Sequence, residues 1–261
     1  MMDSREGVLL AHVADLVSRA ESGEIVTTPF LTPREQNEIR KKYAFLGDRL
    51  RFLGGYAEAE RCRAVFLPSY MAELDGEVRE TLLAEETGET LVALSVMGSG
   101  YRELSHRDYL GSILNLGLER DAIGDIAVLS PHDAVLFCDR LIATFLTENL
   151  TRAARDAVKV RVVELPPDFN GGRKFEPVSD TVASPRADAV VAALCNLSRE
   201  RAQALFAQGF VELDYEPLEK YDREVGEGAV LTVRSHGKFI VRSLSDKTKK
   251  GRYRLLADRY V

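Results

Sequence analysis

The sequence has few of the side chains from which metal sites and disulfide frameworks are built. Its three cysteines, Cys62, Cys138 and Cys195, lie far apart and none belongs to a CxxC pair, so neither a zinc site nor a disulfide framework is indicated. The four histidines, at 12, 106, 132 and 236, lack metal-ligand spacing. We therefore predict no metal, no cofactor and three small apolar cysteines in a reducing cytoplasm.

Long apolar runs and a basic overall charge are also missing. No run approaches the roughly 20 apolar residues that span a bilayer, and the opening MMDSREG lacks the basic-then-apolar order of a signal peptide. The formal net charge of −6 and pI of about 5.4 argue against indiscriminate coating of nucleic acid. We expect no membrane partner and no DNA partner, and 261 residues allow two or three domains.

Two short segments that resemble catalytic motifs each lack a required residue. His106-Arg107-Asp108 resembles the start of the kinase catalytic loop, but that motif needs Asn at position 113, where this sequence has Ile. A GxGxxG loop starting at Gly98 would need Gly at 103, where Glu stands. A simpler interpretation is that Ser105 caps a helix whose first turn contains Asp108. The sequence therefore predicts a binding protein with no catalytic residues.

The last third of the chain has the pattern of one small α/β module. Ser184 and Pro185 predict the start of a helix, and Ser198 predicts the cap of a second one. Gly209 predicts its end in a left-handed conformation, before a strand over 210–214. The buried stripes of the two helices are predicted to be Ala187, Val190, Val191 and Leu194, and Ala202, Leu205 and Phe206.

This ordered pattern resembles the S-four RNA-binding domain, also called the αL module. The resemblance rests on Arg186-x-Asp188, Ser198-Arg199-x-Arg201-Ala202, Gln208-Gly209-x-Val211, Leu231-x-Val233-Arg234 and Gly237-Lys238-Phe239. Ala187 stands where Leu is usual and Asp214 where Asn is common, and neither change removes a cation. The resemblance implies that structured RNA is bound by Arg186, Asp188, Ser198, Arg199, Arg201, Gln208, Arg234, Lys238, Lys249, Lys250 and Arg252.

Within that set, the cations are expected to contact phosphates. Asp188 is expected to orient neighbouring arginines. Arg199 and Arg201 lie off the apolar stripe, so their replacement by Ala is expected to weaken RNA binding without unfolding the protein.

The charge distribution favours the same interpretation. Residues 183–261 carry 14 basic and 11 acidic side chains, whereas residues 1–182 carry 21 and 30. Between 234 and 254 eight cations accompany a single acid, Asp246. A basic tail at the end of a strand pair is the electrostatic footprint expected for phosphate contact, although a solvated charge run is the alternative.

Upstream, the pattern predicts a βαββαβ order, the split βαβ or ferredoxin-like arrangement that RRM domains share. Paired aromatics for base stacking are missing from its first and last strands, ALSVMG and VKVRVVEL, which favours a scaffold over a single-strand reader. The predicted elements are strand 90–97, helix 105–116, strands 124–129 and 134–138, helix 139–150 and strand 157–164.

The first 84 residues are mixed in character. A helix is predicted over 5–21, a second one at the capping box Thr32-Pro33-Arg34-Glu35, and strands over 50–53 and 64–67. Residues 34–63 hold eight basic and five acidic groups, so a second RNA contact is possible there, and a solvated helix face is favoured. The predicted fold class is α+β, with an α/β region at 1–84, an RRM-like domain at 85–165, a linker at 166–182 and the S-four domain at 183–261.

Two segments of the chain resemble the YlmH family of bacterial RNA-binding proteins. They are LSHRDYLGSILNLGLERDAIGDIAV, which precedes that module, and TKKGR near its end. The resemblance covers nearly the whole chain. It implies a cytoplasmic, ribosome-associated factor whose partners are rRNA and tRNA on the large ribosomal subunit, connected with ribosome quality control.

Two alternatives stay open at this level. The first is an RNA-modifying enzyme such as a pseudouridine synthase, although 47–51 lacks the Asp of a GRLD-like motif. The second is an adaptor linked to cell division. The RNA site bound and the oligomeric state are not predicted by the sequence.

Overall fold

The computed structural model describes residues 4–244, 247–248 and 251–261. The chain forms two units, Met1–Gly172 and Arg173–Val261. Every strand pairing in the described residues is antiparallel. The mixture of helices with antiparallel sheets agrees with the α+β class expected from the sequence.

The first unit begins with helices around a small sheet of order β1-β3-β2. The capping box at Thr32 is confirmed, since its Oγ1 accepts from the Glu35 amide and Glu35 accepts from the Thr32 amide at 2.7 Å. The helix over 76–90 was not predicted. The elements are α1 (Ser4–Glu21), β1 (Val26–Thr27), α2 (Pro33–Lys42), a 3-10 helix (Ala44–Arg49), β2 (Leu50–Leu53), β3 (Arg63–Phe66), a 3-10 helix (Ser69–Glu73) and α3 (Gly76–Thr90).

The rest of this unit follows the predicted order of strands and helices, with one short strand added. Its sheet has the order β5-β6-β4-β8-β7. Ser105 and Asp108 form a capping box at α4, as expected. The elements are β4 (Val92–Gly98), α4 (His106–Leu114), a 3-10 helix (Arg120–Ala122), β5 (Ile123–Ser130), β6 (Asp133–Cys138), α5 (Arg140–Asn149), β7 (Arg152–Ala153) and β8 (Asp156–Val162).

N-terminal residues cover part of the sheet face opposite the helices. Phe30 packs with Val135 and Phe137 in a buried cluster, and Tyr56 stacks on Phe137 with ring centroids 5.1 Å apart. Gly124 is required beneath this cover, because a Cβ there would lie 2.7 Å from the Phe30 ring. This part of the sheet face is therefore closed to a ligand.

Asp125 fastens the covering segment to β5. Its carboxylate accepts hydrogen bonds from the Tyr56 hydroxyl at 2.6 Å, the Glu60 amide at 2.8 Å and the Arg61 amide at 3.0 Å. Removing the carboxylate would leave several polar groups without their partner.

The second unit packs two helices on a sheet of order β11-β10-β12-β13-β14-β9. Its core combines residues of both layers, including Val190, Phe206, Leu231, Phe239 and Leu255. The elements are β9 (Phe175–Val182), α6 (Ala187–Leu194), α7 (Arg199–Ala207), β10 (Val211–Leu213), β11 (Glu216–Pro217), β12 (Val230–Val233), β13 (Gly237–Ser243) and β14 (Tyr253–Tyr260).

Two segments of this unit differ from the sequence-based expectation. The predicted linker at 166–182 ends in strand β9, which pairs with β14 over its full length. β9 is an edge strand, where Pro177 and polar residues are tolerated, so the composition resembled that of a linker. The basic run predicted over 234–254 leads into β14 (Tyr253–Tyr260), a strand that was not predicted and in which Leu255 and Ala257 are buried.

The start of α6 also differs. The helix begins at Ala187, its N-cap is Arg186, and no side chain caps it, so Ser184 does not have the predicted role. The amides of Ala187 and Asp188 donate instead to the carbonyls of Arg223 at 2.8 Å and Tyr221 at 2.9 Å. A distant loop therefore satisfies the free amides that a local cap would otherwise bind.

We expect Asp125→Ala to lower the free energy of unfolding by roughly 1–3 kcal/mol, because three part-buried donors lose their acceptor. Asp15→Ala, on the exposed face of α1, is the matched control and should change stability by less than about 0.5 kcal/mol. Urea unfolding followed by circular dichroism measures both. Equal stability of the two variants would show that Asp125 does not hold the cover in place.

Candidate nucleic-acid interface

A carboxylate with no exposed surface organises the helical side of the candidate interface. Asp188, in the first turn of α6, is 0% exposed. It accepts from Arg199 Nη2 at 3.0 and 2.9 Å, from Gln203 Nε2 at 2.8 Å and from Arg186 Nε at 3.3 Å. One negative charge thus orients two guanidinium groups, as the sequence suggested for Asp188.

The titration of Asp188 reflects these contacts. Burial by itself raises the pKa of this carboxyl, and the hydrogen bonds from Gln203, Arg199 and Arg186 outweigh burial, so the pKa lies below its ordinary value. The carboxylate is therefore charged at neutral pH.

Both arginines held by Asp188 reach the surface. The side chains of Arg186 and Arg199 are 38% and 50% exposed, and the Arg186 guanidinium lies 5.7 Å from the centre of the Tyr221 ring. A guanidinium has five donors in a fixed fork, so donors remain for a ligand. The prediction that Arg199→Ala weakens RNA binding without unfolding the protein stays a prediction. The pairing adds the expectation that this change lowers stability, because a buried carboxylate depends on Arg199.

Helix α7 adds an exposed polar flank. Ser198 caps it through an Oγ that accepts from the Arg201 amide at 3.3 Å, as predicted. Arg201 and Gln208 are both exposed. Gly209 follows with φ of +68°, the left-handed conformation expected there.

A second group of cations lies on β13 and in the turn that precedes it in the same unit. The Arg234 guanidinium stands 5.0 Å from the centre of the Phe210 ring. Lys238 Nζ is 4.6 Å from the Tyr215 ring and 4.8 Å from the Tyr260 ring. Contacts of a cation with an aromatic face restrict its side chain while leaving its charge in place.

Arg252 is fixed by β9. Its Nε donates to Thr181 Oγ1 at 3.0 Å and its Nη2 to the Thr181 carbonyl at 2.5 Å. Lys249 and Lys250, which the sequence also assigned to RNA, lie outside the described residues.

Comparisons with known proteins identify the family. A family model described as "YlmH, N-terminal" matches residues 5–71, and one described as "Putative RNA-binding domain in YlmH" matches residues 91–166. "Ribosome-associated protein quality control protein P2" of Bacillus subtilis (strain 168) is 32% identical over 234 residues, which cover 89% of this chain and 86% of that protein. The chain belongs to the YlmH family. The resemblance predicted from the sequence is thereby confirmed.

A solved structure, "Cell division protein ylmH from Streptococcus pneumoniae", is 20% identical to this YlmH-family chain. The match covers 63% of this chain and 94% of that one, with a TM-score of 0.47. A TM-score at this level does not establish a shared fold. Both matched family models lie in the first unit, whereas the cationic groups described above lie in the second.

Two of the three cysteines of this YlmH-family chain, Cys138 and Cys195, are poor nucleophiles. Burial raises the pKa of the Cys138 thiol to about 12 and that of Cys195 to about 11, so both remain thiols at neutral pH. The described residues contain no group of three or more His, Cys, Asp or Glu side chains able to hold a metal ion. Over the same residues, no helix has the length and apolarity to cross a membrane.

One polar pair in the first unit, built on a buried carboxylate, was not predicted from the sequence. The Ser99 hydroxyl and its amide both donate to the buried carboxylate of Asp156. His132 Nδ1 instead contacts the carbonyl of Arg102 at 2.9 Å. The pair thus closes the turn after β4, and its partners are 57 positions apart in sequence, beyond the reach of a local motif.

Arg199→Ala should lower the free energy of unfolding by roughly 1–3 kcal/mol, because the buried Asp188 carboxylate loses a charged donor. Arg201→Ala, two positions away on the same helix, should change it by less than about 0.5 kcal/mol. Denaturant unfolding of both variants gives the comparison. If Arg201→Ala proved the more damaging, the assignment of Arg199 to the buried carboxylate would be wrong.

The depressed pKa of Asp188 predicts a pH dependence of stability. In the unfolded chain the pKa of this carboxyl is about 3.9. The stabilisation of the folded state by Asp188 is therefore fully present above that pH, and it is lost as the pH falls through the lower pKa of the folded state. We expect wild-type protein to be more stable than Asp188→Asn at pH 7. The difference should narrow below about pH 4, measured as unfolding free energy against pH. A pH-independent difference would contradict the pKa assignment.

Proposed function

We propose that this chain is a non-catalytic RNA-binding protein that docks on structured rRNA and tRNA at the large ribosomal subunit. The observation that carries the proposal is the buried Asp188 carboxylate, which holds the guanidiniums of Arg186 and Arg199 at the surface. Guanidinium forks match phosphate oxygens in geometry and charge. The protein therefore acts by occupancy, without turnover.

We further propose that 183–261 is an S-four (αL) module and that 85–165 is an RRM-like domain. Support for the first comes from two helices, the second capped by Ser198, a left-handed glycine, and the pair β12 and β13 with Arg234 in its turn and Lys238 on β13. Support for the second comes from the sheet order β5-β6-β4-β8 with α4 and α5 between its strands. Residues 1–84 are the N-terminal α/β region in this proposed division of the chain.

The phosphate contacts proposed for the second unit include cations held in three different ways. Arg186 and Arg199 are oriented by Asp188, Lys238 by aromatic rings, and Arg252 by Thr181. Preordered side chains lose less conformational entropy when they bind. The proposed RNA-contacting set is Arg186, Arg199, Arg201, Gln208, Arg234, Lys238, Lys249, Lys250 and Arg252, with Asp188 and Ser198 as positioning residues.

The biological setting follows from the relative's name. The Bacillus subtilis protein is named for ribosome-associated quality control, and we propose the same role and a cytoplasmic location for this chain. Shape should matter more than base sequence, because A-form helices hide base edges in a deep, narrow groove.

Sedimentation tests the ribosome assignment. Tagged full-length protein should migrate with the large subunit through sucrose and return to the top of the gradient after RNase treatment. Migration with free protein only, or RNase-resistant association with a protein partner, would favour the adaptor instead.

Charge reversal tests the interface. Arg201→Glu should weaken binding to a labelled rRNA hairpin and reduce the log–log salt slope by about 1 or more, because at least one phosphate contact is lost. Arg19→Glu has the same charge change at an exposed position of α1, outside the segment matched by the RNA-binding family model, and it should leave the slope unchanged. Equal effects of the two variants would place the RNA contact elsewhere.

A further inference from the structure

The second unit contains a groove of about 270 Å³ between helix α6 and strand β9. Its α6 side is lined by the small side chains of Ala189, Ala192 and Ala193. Arg199 and Arg252, two of the cations discussed above, also line it. The volume lies just below the roughly 300–1,000 Å³ typical of small-molecule sites, so the groove suits at most one group of nucleotide size.

The two guanidiniums in this lining are held by different neighbours. Arg252 donates through Nε and Nη2 to Thr181, and Arg199 donates through Nη2 to the buried Asp188. Each guanidinium retains further N–H groups. Both charges are therefore directed before a ligand arrives, which reduces the entropic cost of binding an anion.

The lining also includes groups that a bare anion would not need. Asp180 is an acceptor in the wall, and its Oδ1 already accepts from the Thr181 amide at 2.6 Å. Asn196 adopts φ of +52°, which Asn tolerates better than most residues. Within the described part of the chain, its side-chain amide makes no hydrogen bond and is exposed. Cations, a carboxylate, an amide and an apolar surface together match a nucleotide better than a phosphate ion.

We propose that this groove receives one unpaired nucleotide of the bound RNA. Arg199 and Arg252 contact its phosphate, the alanines of α6 pack against its base or sugar, and Asn196 and Asp180 bind its polar edges. The inference rests on the proposed RNA-binding function and adds to it a preference for RNA that presents an extruded nucleotide. Bases that leave a helix are commonly read by such combinations of apolar and hydrogen-bonding contacts.

The test compares two RNA hairpins that differ only in one bulged uridine. Full-length protein should bind the bulged hairpin about tenfold more tightly than the fully paired one, measured by fluorescence anisotropy. The ratio of the two affinities is the readout, because a general phosphate contact changes both affinities together.

Ala193→Leu fills the groove and should bring the ratio close to about 1. Ala204→Leu makes the same substitution at an exposed position of α7 and should retain the wild-type ratio. Ala193 also packs against the core of the unit, so Ala193→Leu could fail to fold. A second pair of variants tests the groove without changing the core. Arg252→Gln should lose the preference, whereas Arg254→Gln, at a nearby exposed arginine of β14, should keep it.

A wild-type ratio of 1 with tight binding of both hairpins would overturn the inference and leave the proposed function intact. Saturable binding of free uridine monophosphate, lost in Ala193→Leu and accompanied by a hairpin ratio of 1, would also overturn it in favour of a site for free nucleotides. Failure of wild-type protein to bind either hairpin would count against the proposed function itself.

Discussion

The charge-assisted hydrogen bonds of Asp188 are the constraint on which the second unit depends. The carboxylate is buried in the first turn of α6, and its partners Arg199 and Gln203 lie on α7. The two helices are thus tied by polar bonds as well as by apolar contacts. A buried polar network of this kind fixes one arrangement, because any shift would leave a charge unpaired away from water. The surface that results is cationic, since one carboxylate faces two guanidiniums.

The charge distribution explains how an acidic chain can present a site for a polyanion. Residues 1–182 hold 30 acidic and 21 basic side chains, while residues 183–261 hold 11 and 14. Surface charges separated by more than about 8–10 Å are largely screened at physiological ionic strength. Local groups of oriented cations therefore decide where an RNA backbone binds, and the net charge opposes contact elsewhere.

Phe137, an aromatic residue of the first unit, packs inside the fold and does not face a ligand. Phe137 lies on the sheet face opposite the helices, where an RRM would stack bases, but Tyr56 and Phe30 cover it. Asp125 secures this cover through hydrogen bonds to the Tyr56 hydroxyl and nearby amides. The Phe137 side chain is therefore buried in the fold and is not available for base stacking.

The sequence by itself determined the elements whose signals are local. The caps at Thr32, Ser105 and Ser198 and the left-handed Gly209 lie where the sequence predicted them, because their partners are within a few residues. The strand and helix order of 92–162 also followed from periodicity. Tertiary structure alone decided the features whose partners are distant in sequence. These are the pairing of β9 with β14, the loop that caps α6, the burial of Asp188 against Arg199, and the attachment of Arg252 to Thr181, 71 positions away. Local patterns do not encode such partners, because they are brought together only when the chain packs.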